Sequence, residues 1–153
     1  MEQNKLISIL VTGANKGIGF GIINSLIKSQ INSSIWKYKI ILTSRDLNKG
    51  LEAIENIQEK FGNDLKEFLI YKQLDITNKE SITDTINWIK IEFGEIDILI
   101  NNAGVAFKGE IFNLNVYDTT FSTNLFGTIN KTEKFLNENL IKNNGKIIII
   151  GSG

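Results

Sequence analysis

The sequence predicts a three-layer α/β domain built on a doubly wound parallel sheet. Three observations carry this expectation. Five short apolar runs alternate with segments whose apolar residues recur at helical spacing. Those runs read as largely apolar stretches and not as alternations, Asp97 in the fourth being an exception, as strands buried on both faces do. The first run leads straight into a glycine-rich turn, Thr12-Gly13-Ala14-Asn15-Lys16-Gly17-Ile18-Gly19, that opens a helix. In such a fold the ligand crevice lies at the carboxyl ends of the strands, where strand order reverses.

The elements follow in order. Residues 6–11 form the first strand, and Ile18, Ile22, Leu26 and Ile27 mark the first helix. Residues 30–34 are polar and read as a loop, and residues 38–43 form a second strand. Asp46 is positioned to cap a helix over residues 47–61 with Leu51, Ile54, Ile57 and Phe61 on its apolar side, and Gly62 stops it. Residues 68–74 read as the third strand. Thr77-x-x-Glu80 reads as a capping box for a helix that buries Ile82, Ile86, Ile89 and Phe93 and closes at Gly94. Residues 96–100 form a fourth strand, and a loop covers residues 101–115. A long helix over residues 116–141 is expected to turn Tyr117, Phe121, Leu125 and Leu136 inward, with Asn143-Asn144-Gly145 as its stop signal. Residues 146–150 make the fifth strand. No linker, repeat or second domain interrupts residues 1–153, which read as a single nucleotide-binding domain.

Composition narrows the chemistry. The 153 residues carry 17 basic and 17 acidic side chains, so no broad surface for nucleic acid or an anionic membrane is expected. Cysteine is absent, which excludes disulfides, thiolate nucleophiles and cysteine metal sites. Histidine is absent as well, so acid–base work falls to Tyr, Lys, Ser or carboxylates. The N-terminus shows no signal-peptide pattern, and the aliphatic run 147–150 is too short to cross a bilayer. A cytoplasmic location is the expectation.

Candidate site residues cluster at the predicted strand ends. The spacing G-x-x-x-G-x-G at Gly13, Gly17 and Gly19 suits a turn that lets phosphates approach the amino end of a helix. A plain tight turn is the alternative. After the second strand stands Arg45, where NAD-selective folds place a carboxylate for the adenosine ribose. A guanidinium instead binds a 2′-phosphate, and Lys16 offers a second positive charge, which favours NADPH over NADH. A solvated arginine paired with Asp46 is the alternative. Asp75 and Ile76, after the third strand, suit an adenine amino group and ring, or else simple turn chemistry. Asn101-Asn102-Ala103-Gly104 combines polar clamps with small residues that leave room for a ligand, with a simple Asn-Gly-type turn as the alternative. Asn124 lies inside a predicted helix, where asparagine has poor propensity, so it is either a buried polar group with a role or a solvent-facing residue. Ser152 follows the fifth strand, where it suits donation to a carbonyl oxygen or is a plain terminal-loop serine.

Taken in this order, with Thr43-Ser44-Arg45-Asp46 and Thr123-Asn124-Leu125-Phe126-Gly127, these motifs resemble the short-chain dehydrogenase/reductases, most closely their NADPH-dependent carbonyl reductase branch. The resemblance spans nearly the whole chain. It implies a Rossmann-type fold truncated after the fifth strand. Gly13, Gly17, Ile18 and Gly19 would hold the pyrophosphate and nearby ribose, and Asn15, Lys16 and Arg45 the 2′-phosphate. Asp75 and Ile76 would meet adenine, and Asn102 the ribose region. Asn124 would order a water in a proton relay, and Ser152 would bind the substrate carbonyl. Phe107 and Lys108 would meet substrate.

The pattern departs from the family at one place. The family's proton donor is a Tyr-x-x-x-Lys motif, with the lysine lowering the tyrosine pKa. None of Tyr38, Tyr71 and Tyr117 has a lysine four residues on. Gly151 also stands where the family usually has the first of two serines. The expected function is therefore reduction of ketone or aldehyde carbonyls from NADPH, with the catalytic Tyr and Lys outside residues 1–153, or alternatively a non-catalytic NADP(H)-binding module. A methyl-donor-binding protein would prefer an acid at Arg45. The resemblance also implies a sheet that continues past strand five, leaving an open edge here. Self-association through that edge or the long helix is expected.

Overall fold

The computed structural model describes residues 5–33, 36–106 and 113–151. One parallel sheet of five strands runs in the order β3-β2-β1-β4-β5. The strands are β1 (Lys5–Val11), β2 (Trp36–Ser44), β3 (Leu69–Gln73), β4 (Ile96–Asn101) and β5 (Ile141–Ile149). The order reverses between β1 and β4, and the crevice opens there, as the sequence predicts.

Alternate side chains of β1, β2 and β4 enter two separate cores, which is why those strands read as largely apolar runs. Ile9, Val11, Ile40 and Leu42 pack with Ile23 and Ile27 of α1 (Gly17–Ile31) and with Ala53 and Ile57 of α2 (Leu47–Phe61). Leu10, Ile41 and Leu99 face the other way, against Ile82, Ile86 and Ile89 of α3 (Lys79–Glu92) and against Phe135. At the far end of the sheet the Asp97 carboxylate accepts from the Ser8 backbone and hydroxyl and pairs with Lys142 at 2.8 Å, tying β1, β4 and β5 together. Burial pushes the Asp97 pKa up, but the bonds from Lys142 and Ser8 outweigh it and hold the carboxyl below its usual value.

Several local signals act as read. Asp46 caps α2 by accepting from Lys49 N, and Gly62 ends that helix at φ 99°. The cap of α3 differs. Asp75 takes both the backbone N–H and the hydroxyl of Thr77, so Thr77 is spent in a turn. Asn78 caps the helix instead, accepting from Ser81 N.

The long helix is the main correction. It begins earlier than expected and runs in three pieces: α4 (Leu114–Thr120), a π-helical segment Phe121–Gly127, and α5 (Thr128–Asn137). Its buried face is Thr123, Gly127, Lys131 and Phe135, while Tyr117, Phe121, Leu125 and Leu136 lie exposed. The physical reason is close approach. A Cβ on Gly127 would sit 3.1 Å from the Ile76 backbone oxygen, so the face that meets the rest of the fold must be small there. The apolar stripe is left outside. Asn143-Asn144-Gly145 is not the helix stop either. The chain turns at Asn139, at φ 54°, and β5 begins at Ile141. The Asn-Gly stretch is absorbed as an irregularity in β5, where the partner of β4 jumps from Ile141 to Lys146.

Candidate nucleotide and carbonyl site

The strand ends meet as predicted, and Thr12 is the hub that joins them. Its hydroxyl oxygen accepts from the backbone N–H of both Asn102 and Ala103 at 3.0 Å and faces the Ile100 carbonyl at 3.4 Å. Thr12 N also donates to Ile100 O, so the end of β1 is locked to the end of β4. The Asn102 amide then donates to Thr12 O and Gly13 O, both at 3.0 Å. Asn102 thus clamps the glycine turn from beneath.

The glycines divide into two kinds. Gly13, at φ +62°, touches the loop after β4, and a Cβ there would come within 2.7 Å of Ala103 Cα. Gly19 is buried, and its missing side chain makes room for the Asn102 amide. These two serve packing. Gly17 differs: it also has a left-handed φ, +61°, yet a Cβ there would meet nothing within 4 Å among the described residues. It begins α1, a 15-residue helix whose N-cap Lys16 makes no side-chain capping bond and itself lines the crevice.

That crevice, of about 290 Å³, is lined by Gly13, Asn15, Lys16, Arg45, Asp75, Ile76 and Thr77 on one side. Ala103, Gly104, Val105, Ala106, Thr119 and Thr123 line the other. Lys16 and Arg45 are both exposed there, from different strand ends. Asp75, though it lines the crevice, spends one carboxylate oxygen on Thr77. Ile18 is solvent-facing on the first turn of α1. A larger hollow, of about 510 Å³, lies between α3 and α5, remote from these residues apart from the shared Ile76 and Thr77. It lacks Lys16, Arg45 and the glycine turn, which line the smaller crevice.

Asn124 sits within the π-helical segment. Its Oδ1 accepts from Val105 N at 2.7 Å and its Nδ2 donates to Val105 O at 2.9 Å, a two-way clamp on the loop after β4. Phe107, Lys108 and Ser152 lie outside the described residues. Two residues escaped the sequence reading. Thr12 was legible only as the first residue of the turn. Lys131, fully buried under Asn101, had one signal: it stands four residues after Gly127 and four before Phe135, on the face turned to the sheet.

A glycine turn at a helix amino end, at the switch point of a parallel sheet, is the arrangement with which α/β folds bind dinucleotides, and here Lys16 and Arg45 share its crevice. Residues 8–153 match the family described as short chain dehydrogenase, and the chain belongs to that family. It is 35% identical over 146 residues to "Carbonyl reductase [NADPH] 1" of Rattus norvegicus, covering 94% of this chain and 48% of that protein. It is 42% identical over 97 residues to "(+)-neomenthol dehydrogenase" of Arabidopsis thaliana, covering 63% of this chain and 30% of that one. Among solved structures, menthone neomenthol reductase from Mentha piperita superposes with a TM-score of 0.83 at 26% identity, over 97% of this chain and 61% of that one. The chain spans about half the length, or less, of the curated relatives it matches.

Proposed function

We propose that the protein is an NADPH-dependent oxidoreductase that reduces ketone or aldehyde carbonyls, with residues 1–153 forming its cofactor-binding part. The observation that carries this reading is the pairing of Lys16 and Arg45 across one crevice above the free end of α1. Two cations from separate strand ends suit a phosphate better than a ribose diol, which needs a carboxylate acceptor. The relative named for NADPH supports the same choice.

The residues present fit the dinucleotide. The open side of Gly17 and the first N–H groups of α1 would take the pyrophosphate. Lys16, Arg45 and Asn15 would hold the 2′-phosphate, and Asp75 and Ile76 would border adenine. Bound NADPH supplies the hydride. The loop that carries Gly104 and Val105, pinned by Asn124, would shape the space beside the nicotinamide and substrate. Ser152 would donate to the substrate carbonyl oxygen. Residues 1–153 contain no Tyr-x-x-x-Lys, so the proton donor would come from elsewhere in the whole protein.

Titration calorimetry of the 153-residue chain with NADPH and NADH tests this. NADPH binding at least about 10-fold tighter than NADH is expected, the margin of one charge-assisted contact. Equal affinity for the two, or no uptake of either, overturns it. Carbonyl reduction by the purified 153-residue chain would overturn the assignment of the proton donor alone.

A further inference from the structure

Lys131 has no part in the chemistry above, yet it is among the largest fully buried side chains of the structure. Its Nζ donates to Asn101 Oδ1 and stands 5.5 Å from the centre of the Phe135 ring. Asn101 in turn donates from Nδ2 to Thr132 Oγ1, and its backbone oxygen accepts from Ile150 N. The lysine therefore sits behind the end of β4, where α5, β4 and the end of β5 meet. One residue further, Asn102 clamps the glycine turn.

No charged side chain of the described residues pairs with the amine. Among the described residues, Asp97 of β4 is engaged with Ser8 and Lys142 of β5. Glu133 and Lys134 of α5 and Lys79 of α3 line the outer hollow, and Asp84 of α3 and Lys146 of β5 are exposed. Glu138 pairs with Lys90 at the surface. An ammonium has three N–H donors, and the described partners here are one amide oxygen and one aromatic ring. A neutral amine, with two N–H groups, fits that pocket better. Loss of hydration alone brings the Lys131 pKa down to about 7.

We infer that Lys131 is a positioning residue that acts as a proton-sensitive latch: neutral, it seats Asn101 and the end of β4 against α5, and charged, it loosens that seam. The strand end that loosens carries Asn102, so the glycine turn shares the change. The sign follows from the depressed pKa. Between the folded value near 7 and the ordinary lysine value of about 10.4, the unfolded chain binds more protons than the folded one. The contribution of Lys131 to stability is therefore most favourable above that window and declines as pH falls through it toward 7. Below the folded value it changes no further.

Carbon and nitrogen NMR of the Lys131 side chain tests this on the protein without cofactor, so its failure is separate from any failure of the NADPH reading. A titration midpoint near 7 is expected, with the backbone amides of Asn101, Asn102 and Thr132 shifting at the same midpoint. In Lys131→Met that amide transition disappears, and the wild-type Tm gains on the variant's as pH rises from 7 to about 10. A midpoint above about 9.5, near the ordinary lysine value, overturns the inference. So do amides that stay still while the lysine titrates. Should Lys131→Met fail to fold, the wild-type titration decides alone.

Discussion

The centre of the sheet and its β5 edge are built differently. Toward the carboxyl ends of β1 and β2 the apolar side chains are covered: Leu10, Val11, Ile40, Ile41 and Leu42 are all fully buried. At β5 the same residue type is left bare, with Ile147, Ile148 and Ile149 at 38%, 40% and 67% exposure. The neighbouring helix repeats the contrast on its own surface, burying Gly127 and Lys131 while exposing Phe121, Leu125 and Leu136. Hydrophobicity does not decide which residues go inside. What decides it is whether an element lies close enough to cover them. The β1 side is closed and carries the basic crevice. The β5 side carries apolar surface that the described residues do not cover. Substitutions on the two sides should therefore differ in kind: fold and cofactor on one, association on the other.

The largest effect is expected at Gly13. Valine there must adopt a positive φ and force its Cβ into Ala103, 2.7 Å away. Strain of about 1–3 kcal/mol adds to overpacking of about 1–3 kcal/mol. Gly13→Val should lower unfolding free energy by roughly 2–6 kcal/mol in denaturant titrations and abolish nucleotide binding. Gly17→Ala sharpens the point. It shares the positive φ but meets open space, so it should cost only about 1–2 kcal/mol while still weakening NADPH binding.

Next comes Thr12→Val, nearly the same shape without the hydroxyl. The backbone N–H groups of Asn102 and Ala103 would lose their acceptor at the buried junction of β1 and β4. One stranded donor costs about 1–3 kcal/mol, and a loss near the upper end is expected by chemical denaturation. A loss below about 0.5 kcal/mol, the usual bound for a surface change, would mean that Thr12 does not join the strand ends.

Much of this division was legible in the sequence. The five apolar runs announced two-sided burial, and Asp46 and Gly62 marked the bounds of α2 as placed. The glycine turn and Arg45 did reach one crevice, and Asn102 clamps that turn, whereas Asn101 turns away to Lys131 and Thr132. The helix before β5 was misread for a definite reason. Its apolar residues recur at helical spacing, and a periodic stripe is ordinarily the buried one. Here the helix lies so near Ile76 that only the stripe of Thr123 and Gly127 fits against the fold. A local pattern gives the spacing of a face but not which partner it meets. The same limit hid Lys131, whose burial depends on Asn101, thirty residues away in the chain. Asn143-Asn144-Gly145 looked like a helix stop because those residues favour turns, yet a strand irregularity uses the same conformational freedom.

Arg45 gives a smaller and more selective effect. Arg45→Ala removes an exposed cation that makes no ion pair among the described residues, so stability should stay within about 0.5 kcal/mol. NADPH affinity should fall by about 10-fold or more, with NADH affinity nearly unchanged, when both are measured by calorimetry. Lys16→Ala should act in the same direction, and the two losses should be less than additive if both side chains hold one phosphate. A parallel loss for NADH would place Arg45 on the pyrophosphate instead, and the basic pair would no longer explain cofactor choice.

The smallest effect on folding, and the sharpest on the comparison, belongs to Ile149. It pairs with Asn101 across the β4–β5 ladder but leaves two thirds of its surface in solvent. Its backbone is on the edge strand, where unpaired N–H and C=O groups beside bare isoleucines invite pairing with a second chain. Ile149→Lys keeps the backbone and places a charge on that edge, the device by which edge strands are commonly blunted. Monomer stability should change by no more than about 0.5 kcal/mol, since little burial is lost. Sedimentation velocity of the 153-residue chain should show association in the wild type and a shift toward monomer in the variant. An Ile149→Lys variant that unfolds instead would mean that the face is covered in solution, and the contrast between the closed and open sides of the sheet would fail at its plainest point.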